Sequence, residues 1–193
     1  MKNRPLILAS ASPRRKRLLE EMGFTFEVVA PEVTEVHYLD DLHGSVMENA
    51  AMKCEWCRAR HPDATILAAD TGIEFEGLTI MKPRSREEAA SFLRMFSGKT
   101  HKVMTGVALA VPDGDTRLHV ETSLVHFREL TEEIIDAYIE QVIPLDRAGA
   151  YDIDECGEMI VDHHEGSYTN IVGLPCEVVH EWLEAPAAYL RLT

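Results

Sequence analysis

Cysteine is scarce in this chain. The four residues, at 54, 57, 156 and 176, are too few and too unevenly spaced to suggest a disulfide framework, so reduced thiols are expected. Aromatic residues make up only 7%, and none are interleaved with basic residues as a platform for stacking bases would require. Basic side chains are outnumbered, 19 against 33 acidic, which leaves a net charge of −14. Such a field repels nucleic acid and anionic membrane, and it slows the approach of any polyphosphate unless cations or a metal are concentrated locally. Long hydrophobic runs are also missing: none reaches the roughly 20 residues of a membrane span. The apolar stretch near the start is too short for a signal peptide, and a cytoplasmic protein with neither nucleic acid nor membrane as partner is expected. Internal repeats, low-complexity segments and linkers are absent, which excludes a tandem array.

What remains is an ordinary globular composition. A chain of 193 residues with 46% hydrophobic side chains can bury a sizeable core, as a single α/β domain over 1–193, in one compact unit or two closely packed lobes. The pattern predicts a strand over Leu6–Ala9, then a helix from Ser12-Pro13 to about Met22, stopped by Gly23. A second strand is expected over Phe26–Ala30 and a polar loop over Pro31–Gly44. Ser45 and Glu48 read as a capping box for a helix to about His61, with Val46, Ala50, Cys54 and Cys57 on its apolar face. Thr65–Ala69 reads as a buried strand ending at Asp70-Thr71, followed by a small hairpin over Ile73–Met81 around Glu76-Gly77. Ser85 and Glu88 open a helix to Phe96. Val103–Val111 and Leu118–Phe127 form a hairpin, and Thr131 opens a helix to about Val142. A short strand near Met159–Val161, a turn at Gly166-Ser167, a helix over Pro175–Leu183 and a tail complete the chain. This alternation argues for a mixed sheet with flanking helices.

Three segments carry potential chemistry. Ser10-Ala11-Ser12-Pro13-Arg14-Arg15 lies where a strand turns into a helix. Free amides, two hydroxyls and guanidinium groups there suit an anion such as phosphate, although a capped helix with a solvated basic face uses the same residues. Cations oppose the dipole in a first turn, which favours a ligand as their reason. Asp70 at a strand end suits a divalent metal or a proton from water, with Lys53 and Lys82 as point charges for phosphate oxygens; a turn cap and surface lysines are the plainer reading. Gly166 to Pro175 is a turn and helix entry able to bring backbone amides close to a ligand. Cys54-Glu55-Trp56-Cys57 has redox or zinc spacing but falls inside a helix, which favours buried free thiols. His163-His164 reads as a turn, because no third ligand is spaced to join it as a metal site.

Taken together, the chain resembles the Maf family of nucleotide pyrophosphatases. The resemblance rests on Leu8-Ala9-Ser10, Ser12-Pro13-Arg14-Arg15, Glu35, Ala50 to Lys53, Ala69-Asp70-Thr71 and Lys82-Pro83. It continues through Ser97 to His101, Thr105-Gly106, Ala148 to Tyr151, Gly166-Ser167-Tyr168, Asn170 and Val172 to Pro175. It implies a fold similar to the inosine-triphosphatase-like architecture, with two lobes around a cleft, and commonly a homodimer. The implied reaction is hydrolysis of a nucleoside triphosphate between the α and β phosphates, with Mg²⁺ or Mn²⁺. By position, Asp70 looks like the proton acceptor, with Lys53 and Lys82 beside it as catalytic cations. Ser10, Ser12, Arg14, Arg15, Thr71 and Asp154 look like substrate-binding residues, and Glu35 with Asp70 like the metal carboxylates. A non-catalytic nucleotide-binding regulator of septum formation is the alternative. The chain departs from the family pattern at Gly72, Met81 and Asp152-Ile153-Asp154-Glu155, the last standing where Gly-Ile-Gln-Gly is commoner. Thr71 and Tyr151 resemble the dTTP/UTP branch. Asp154 has the acidic character of the branch acting on 7-methyl-GTP, so a weakened pyrimidine preference is expected from it.

Overall fold

The computed structural model describes residues 4–142, 145 and 147–184. The first half is a parallel unit: β1 (Leu6–Ala9) leads into α1 (Pro13–Glu21), and β1 lies between β2 (Glu27–Val28) and β3 (Thr65–Phe75), parallel to both. The helix α2 (Leu42–Arg58) makes the crossover. The second half is antiparallel. β3 pairs with β4 (Leu78–Ile80) and with β5 (Thr100–Ala110), β5 with β6 (Thr116–Phe127), and β6 with β7 (Val161–Glu165), giving a seven-stranded mixed sheet in the order β2-β1-β3-β5-β6-β7. The helices α3 (Arg86–Phe96), α4 (Glu132–Gln141), α5 (Tyr168–Val172) and α6 (Cys176–Glu184) complete the fold. Among the described residues no helix is long and apolar enough to cross a membrane.

One feature of the register creates the site. β1 pairs with β3 only as far as Ala9 opposite Ala68, and β4 begins pairing with β3 only at Ile73. Among the described residues Ala69 to Gly72 therefore have no strand partner on that side, while β5 continues to pair with them on the other. This gap lies at the carboxyl end of β1, where open α/β sheets place their ligands. It also corrects the expected end of the strand at Asp70: the ladder to β5, with Asp70 opposite Gly106 and Thr71 opposite Thr105, carries β3 on to Phe75.

Other boundaries differ for local reasons. α2 starts at Leu42, because Asp41 caps it by accepting a hydrogen bond from the Gly44 amide at 2.8 Å; a Cβ on Gly44 would lie 2.3 Å from the Asp41 carboxylate. Ser45 and Glu48 are not its capping box. The Ser45 hydroxyl accepts from the Tyr38 amide and Glu48 accepts from the Tyr38 hydroxyl, both at 2.8 Å, so the pair anchors the preceding loop. Ser85 and Thr131 do cap α3 and α4, their hydroxyls accepting from the amides of Glu88 and Ile134. The second strand is confined to two residues, and the strand expected at Met159–Val161 is a 3-10 turn over Gly157–Met159 followed by β7. α5, capped by Ser167, has no counterpart among the expected elements; of the tail expected from Glu184 onward, Glu184 still belongs to α6 and the rest lies outside the described residues.

The core is divided by the sheet. One apolar cluster joins α3 and α4 to the far ends of β3, β5 and β6 through Phe96, Phe127, Ile135 and Tyr138. Two others seat α2 and α1 on the opposite faces of the parallel half, around Cys54 and Ile66 and around Leu19 and Leu67. Full burial of each large aliphatic side chain contributes about 1.5–3 kcal/mol.

Candidate active site

A cleft of about 730 Å³ opens at the β1 and β3 gap. It is lined by the β1–α1 turn, the loop after β2, α2, the middle of β3, the strand β4 with Lys82 beyond it, and the segment 147–153. Five cationic side chains (Arg14, Arg15, Lys53, Lys82 and Arg147) face three carboxylates there (Glu35, Asp70 and Asp152). The cleft thus carries an excess of positive charge in a chain of net charge −14, the local focusing that binding a polyphosphate demands.

Asp70 stands at the centre. Lys53 Nζ donates to its Oδ1 at 2.7 Å, and Asn49 Nδ2 donates to its Oδ2 at 3.0 Å. Lys53 Nζ also lies 2.5 Å from Glu35 Oε1, so one ammonium joins both carboxylates. Burial alone would raise the pKa of Glu35, but the hydrogen bond and charge of Lys53, with Lys82 and His37 adding, outweigh it and hold the carboxyl below its ordinary value. Asn49 and Lys53 are one helical turn apart on α2 and share its inner face. Asn49 is fully buried and also fixes the loop carrying Glu35, because its side-chain amide exchanges two hydrogen bonds with the Val36 backbone. Sequence reading missed Asn49, although its spacing of four from Lys53 was the available signal.

α2 can deliver these groups because two glycines let it approach the sheet. Gly106, cross-strand neighbour of Asp70, has the Val46 carbonyl oxygen 2.3 Å from where a Cβ would stand. Gly72 has Leu42 Cδ1 2.5 Å from its own Cβ position. The departure at Gly72 is thereby explained: the room is taken by the start of α2.

At the other wall, the half-buried Arg15 is held on three sides, by the Gly173 carbonyl at 2.8 Å, Thr71 Oγ1 at 2.9 Å and Ser10 Oγ at 3.2 Å. Burial lowers its pKa, the Arg14 charge adds to that, and the Asp70 and Glu35 charges oppose it; a guanidinium remains protonated regardless. Ser12 is the N-cap of α1, so the helix amides open into the cleft beside Arg14 and Arg15. Arg14 Nη1 donates to Asp152 at 3.2 Å, and the same carboxylate accepts from Arg147 Nε at 3.0 Å. Lys82 is exposed at the rim.

The sequence-derived set therefore converges with one exception. Ser10, Ser12, Arg14, Arg15, Glu35, Lys53, Asp70, Thr71 and Lys82 all line the cleft. Asp154 does not: its carboxylate accepts from Arg17 and, at 2.5 Å, from the Tyr168 hydroxyl. Asp152, two residues earlier, is the one that enters. All four cysteines are free; Cys54 and Cys57 are buried on the inner face of α2, and burial pushes the Cys54 thiol up to about 12, an inert group.

A family profile described as Maf-like protein matches residues 5–186. The chain is 43% identical over 180 residues to a dTTP/UTP pyrophosphatase of Akkermansia muciniphila, covering 93% of this chain and 95% of that protein. It is 42% identical over 173 residues to a protein of the same name from Bacillus anthracis, covering 89% and 90%. Among solved structures, the Ham1 protein of Staphylococcus aureus shares the fold with a TM-score of 0.53 at 14% identity, over 94% of this chain and 98% of that one. With a profile match across nearly its whole length and relatives this similar, the chain belongs to the Maf family.

Proposed function

We propose that this enzyme hydrolyses a nucleoside triphosphate between the α and β phosphates to a monophosphate and pyrophosphate, with dTTP and UTP preferred, as a house-cleaning activity. The observation that carries the reading is Asp70 held between Lys53 and Asn49 in the gap, opposite the N-terminus of α1 and its two arginines. The base preference is supported by relatives named dTTP/UTP pyrophosphatase at 42–43% identity.

The chemistry needs positioning and charge neutralisation more than covalent help. Arg15, already anchored to Ser10, Thr71 and Gly173, is pre-organised to present its remaining N–H groups to phosphate oxygens. Arg14 joins it by leaving Asp152, while the α1 amides and Lys82 take further oxygens. Asp70 accepts the proton of the attacking water as the new oxygen–phosphorus bond forms and the bond to pyrophosphate breaks. Lys53 and Asn49 keep its carboxylate aimed, so the proton has a defined destination. Glu35 and Asp70 are hard oxygen donors already converging on one cation, the Lys53 ammonium, and so fit Mg²⁺ or Mn²⁺, which bind through one or two carboxylates together with substrate phosphates. Such an ion supplies additional charge neutralisation at the phosphates.

The test is pyrophosphate release from dTTP, UTP, CTP, GTP and 7-methyl-GTP with Mg²⁺, Mn²⁺ or chelator. Metal-dependent release led by dTTP and UTP is expected, and Asp70→Asn is expected to lower kcat by about 10²–10⁴-fold while nucleotide still binds. Nucleotide binding without turnover of any base would favour the regulatory alternative, and a fully active Asp70→Asn would remove Asp70 as the base.

A further inference from the structure

We propose that the β7 edge of the sheet carries a transition-metal site of its own, formed by His126, His163 and Glu165, which takes a borderline divalent ion such as Zn²⁺. None of the three lines the cleft. His126 on β6 and His163 on β7 are directly opposite in the ladder, with their rings stacked at 4.0 Å between centroids and 8° between planes. Glu165, two residues beyond His163, projects from the same face of β7. Its Oε1 lies 3.2 Å from His126 Nε2, and one ligand atom from each of the three residues falls within 4.8 Å of the others.

The nitrogens are committed in the manner that metal ligation requires. His126 Nδ1 is engaged with Thr100 Oγ1 at 2.7 Å, while its Nε2 is buried and has no hydrogen-bond partner among the described residues, the Glu165 oxygen being near in distance but outside hydrogen-bond geometry. A buried polar atom left in that state costs free energy that a ligand would recover. His163 Nδ1 is held by the Asp162 carboxylate at 2.9 Å, which leaves its Nε2 as the nitrogen not used by that neighbour. Each ring thus has one nitrogen oriented by an outer partner, as in carboxylate–histidine–metal arrangements.

Ligands about 2.0–2.1 Å from a tetrahedral zinc stand roughly 3.4 Å apart. The His126–Glu165 separation is already close to that. His163 and Glu165 are exposed, so their side chains have room to reorient toward a common ion. Two imidazoles and a carboxylate select Zn²⁺ over Mg²⁺, with water in the fourth position. The bound ion would tie the edge strand to its neighbour.

The experiment is calorimetric titration of metal-stripped, full-length protein with Zn²⁺, run in an Asp70→Asn background to weaken uptake in the cleft, together with melting curves. The D70N protein is expected to take up one equivalent and to melt at a higher temperature when loaded. Adding His163→Ala, an exposed position whose loss spares the core, or Glu165→Gln is expected to weaken binding at least tenfold and abolish the thermal shift. Absence of saturable uptake by the D70N protein, or uptake that His163→Ala leaves unchanged, would overturn the proposal.

Discussion

Asp154 shows how a single side chain can carry one identity in the sequence and another in the fold. Its position in the family pattern suggests a reader of the base, yet its carboxylate is satisfied by Arg17 and Tyr168 away from the cleft. Burial, together with the hydrogen bond and charge of Asp154, pushes the Tyr168 hydroxyl up to about 12, so it remains a donor to that carboxylate. Asp154→Gln is therefore expected to change the kcat/KM ratio of dTTP over GTP by less than about fivefold, under about 1 kcal/mol of discrimination. A reversal of the nucleotide ranking would return Asp154 to the base pocket. The residues that do hold the site, Asn49 and Asp152, do not stand out in the sequence. An asparagine or aspartate is ambiguous until its partners are known, and the cleft partners Asp70 and Arg14 lie 21 residues from Asn49 and 138 from Asp152.

Among the elements, α2 contributes most to the site, and its seat on the sheet is set by what glycine lacks. Any Cβ at Gly106 would collide with the backbone of α2 at Val46 and Met47, which cannot yield as a side chain could. Gly106→Ala is expected to destabilise the protein by about 1–3 kcal/mol by overpacking. Displacement of Lys53 and Asn49 from Asp70 should lower kcat/KM by about 10²-fold, measurable beside a denaturant melt of the same variant. The helix itself is legible in the sequence, since Val46, Ala50, Cys54 and Cys57 repeat at helical spacing and are buried as expected. Its start is not, because Asp41 and Ser45 are both good caps in isolation and the choice falls to Tyr38, which claims Ser45 for the loop. β7 is hidden for a similar reason. The segment Asp162-His163-His164-Glu165 has no apolar alternation and becomes a strand only because β6 offers it an edge.

At the scale of the molecule, the buried His101 couples the fold to pH. It lies between Phe96, Phe127 and Tyr151, with its Nε2 2.8 Å from the Tyr151 hydroxyl, and burial lowers its pKa to about 3 from an ordinary 6.5. The unfolded chain takes up a proton as pH falls through 6.5, whereas the folded one resists until about 3, so stability is lost across that window as pH falls. Between pH 6.5 and 4.5, His101→Phe is expected to flatten the stability curve by up to about 1.4 kcal/mol per pH unit, read from melts of both proteins. An identical slope in the two proteins would show that His101 does not contribute this proton.

Sequence alone determined the fold class, the order of most elements and most of the charged residues that line the cleft. Periodicity, caps and the Ser10 to Arg15 segment are local, and local patterns express steric and dipolar preferences that act over a few residues. Only the tertiary structure decided that Asp70 sits within a strand rather than at its end, that Asp152 rather than Asp154 faces the cleft, and that His163 meets His126 and Glu165. Each of those outcomes depends on strand register or on side chains brought together from distant parts of the chain. Such contacts are selected by the packing of the whole sheet, which no short window of sequence contains.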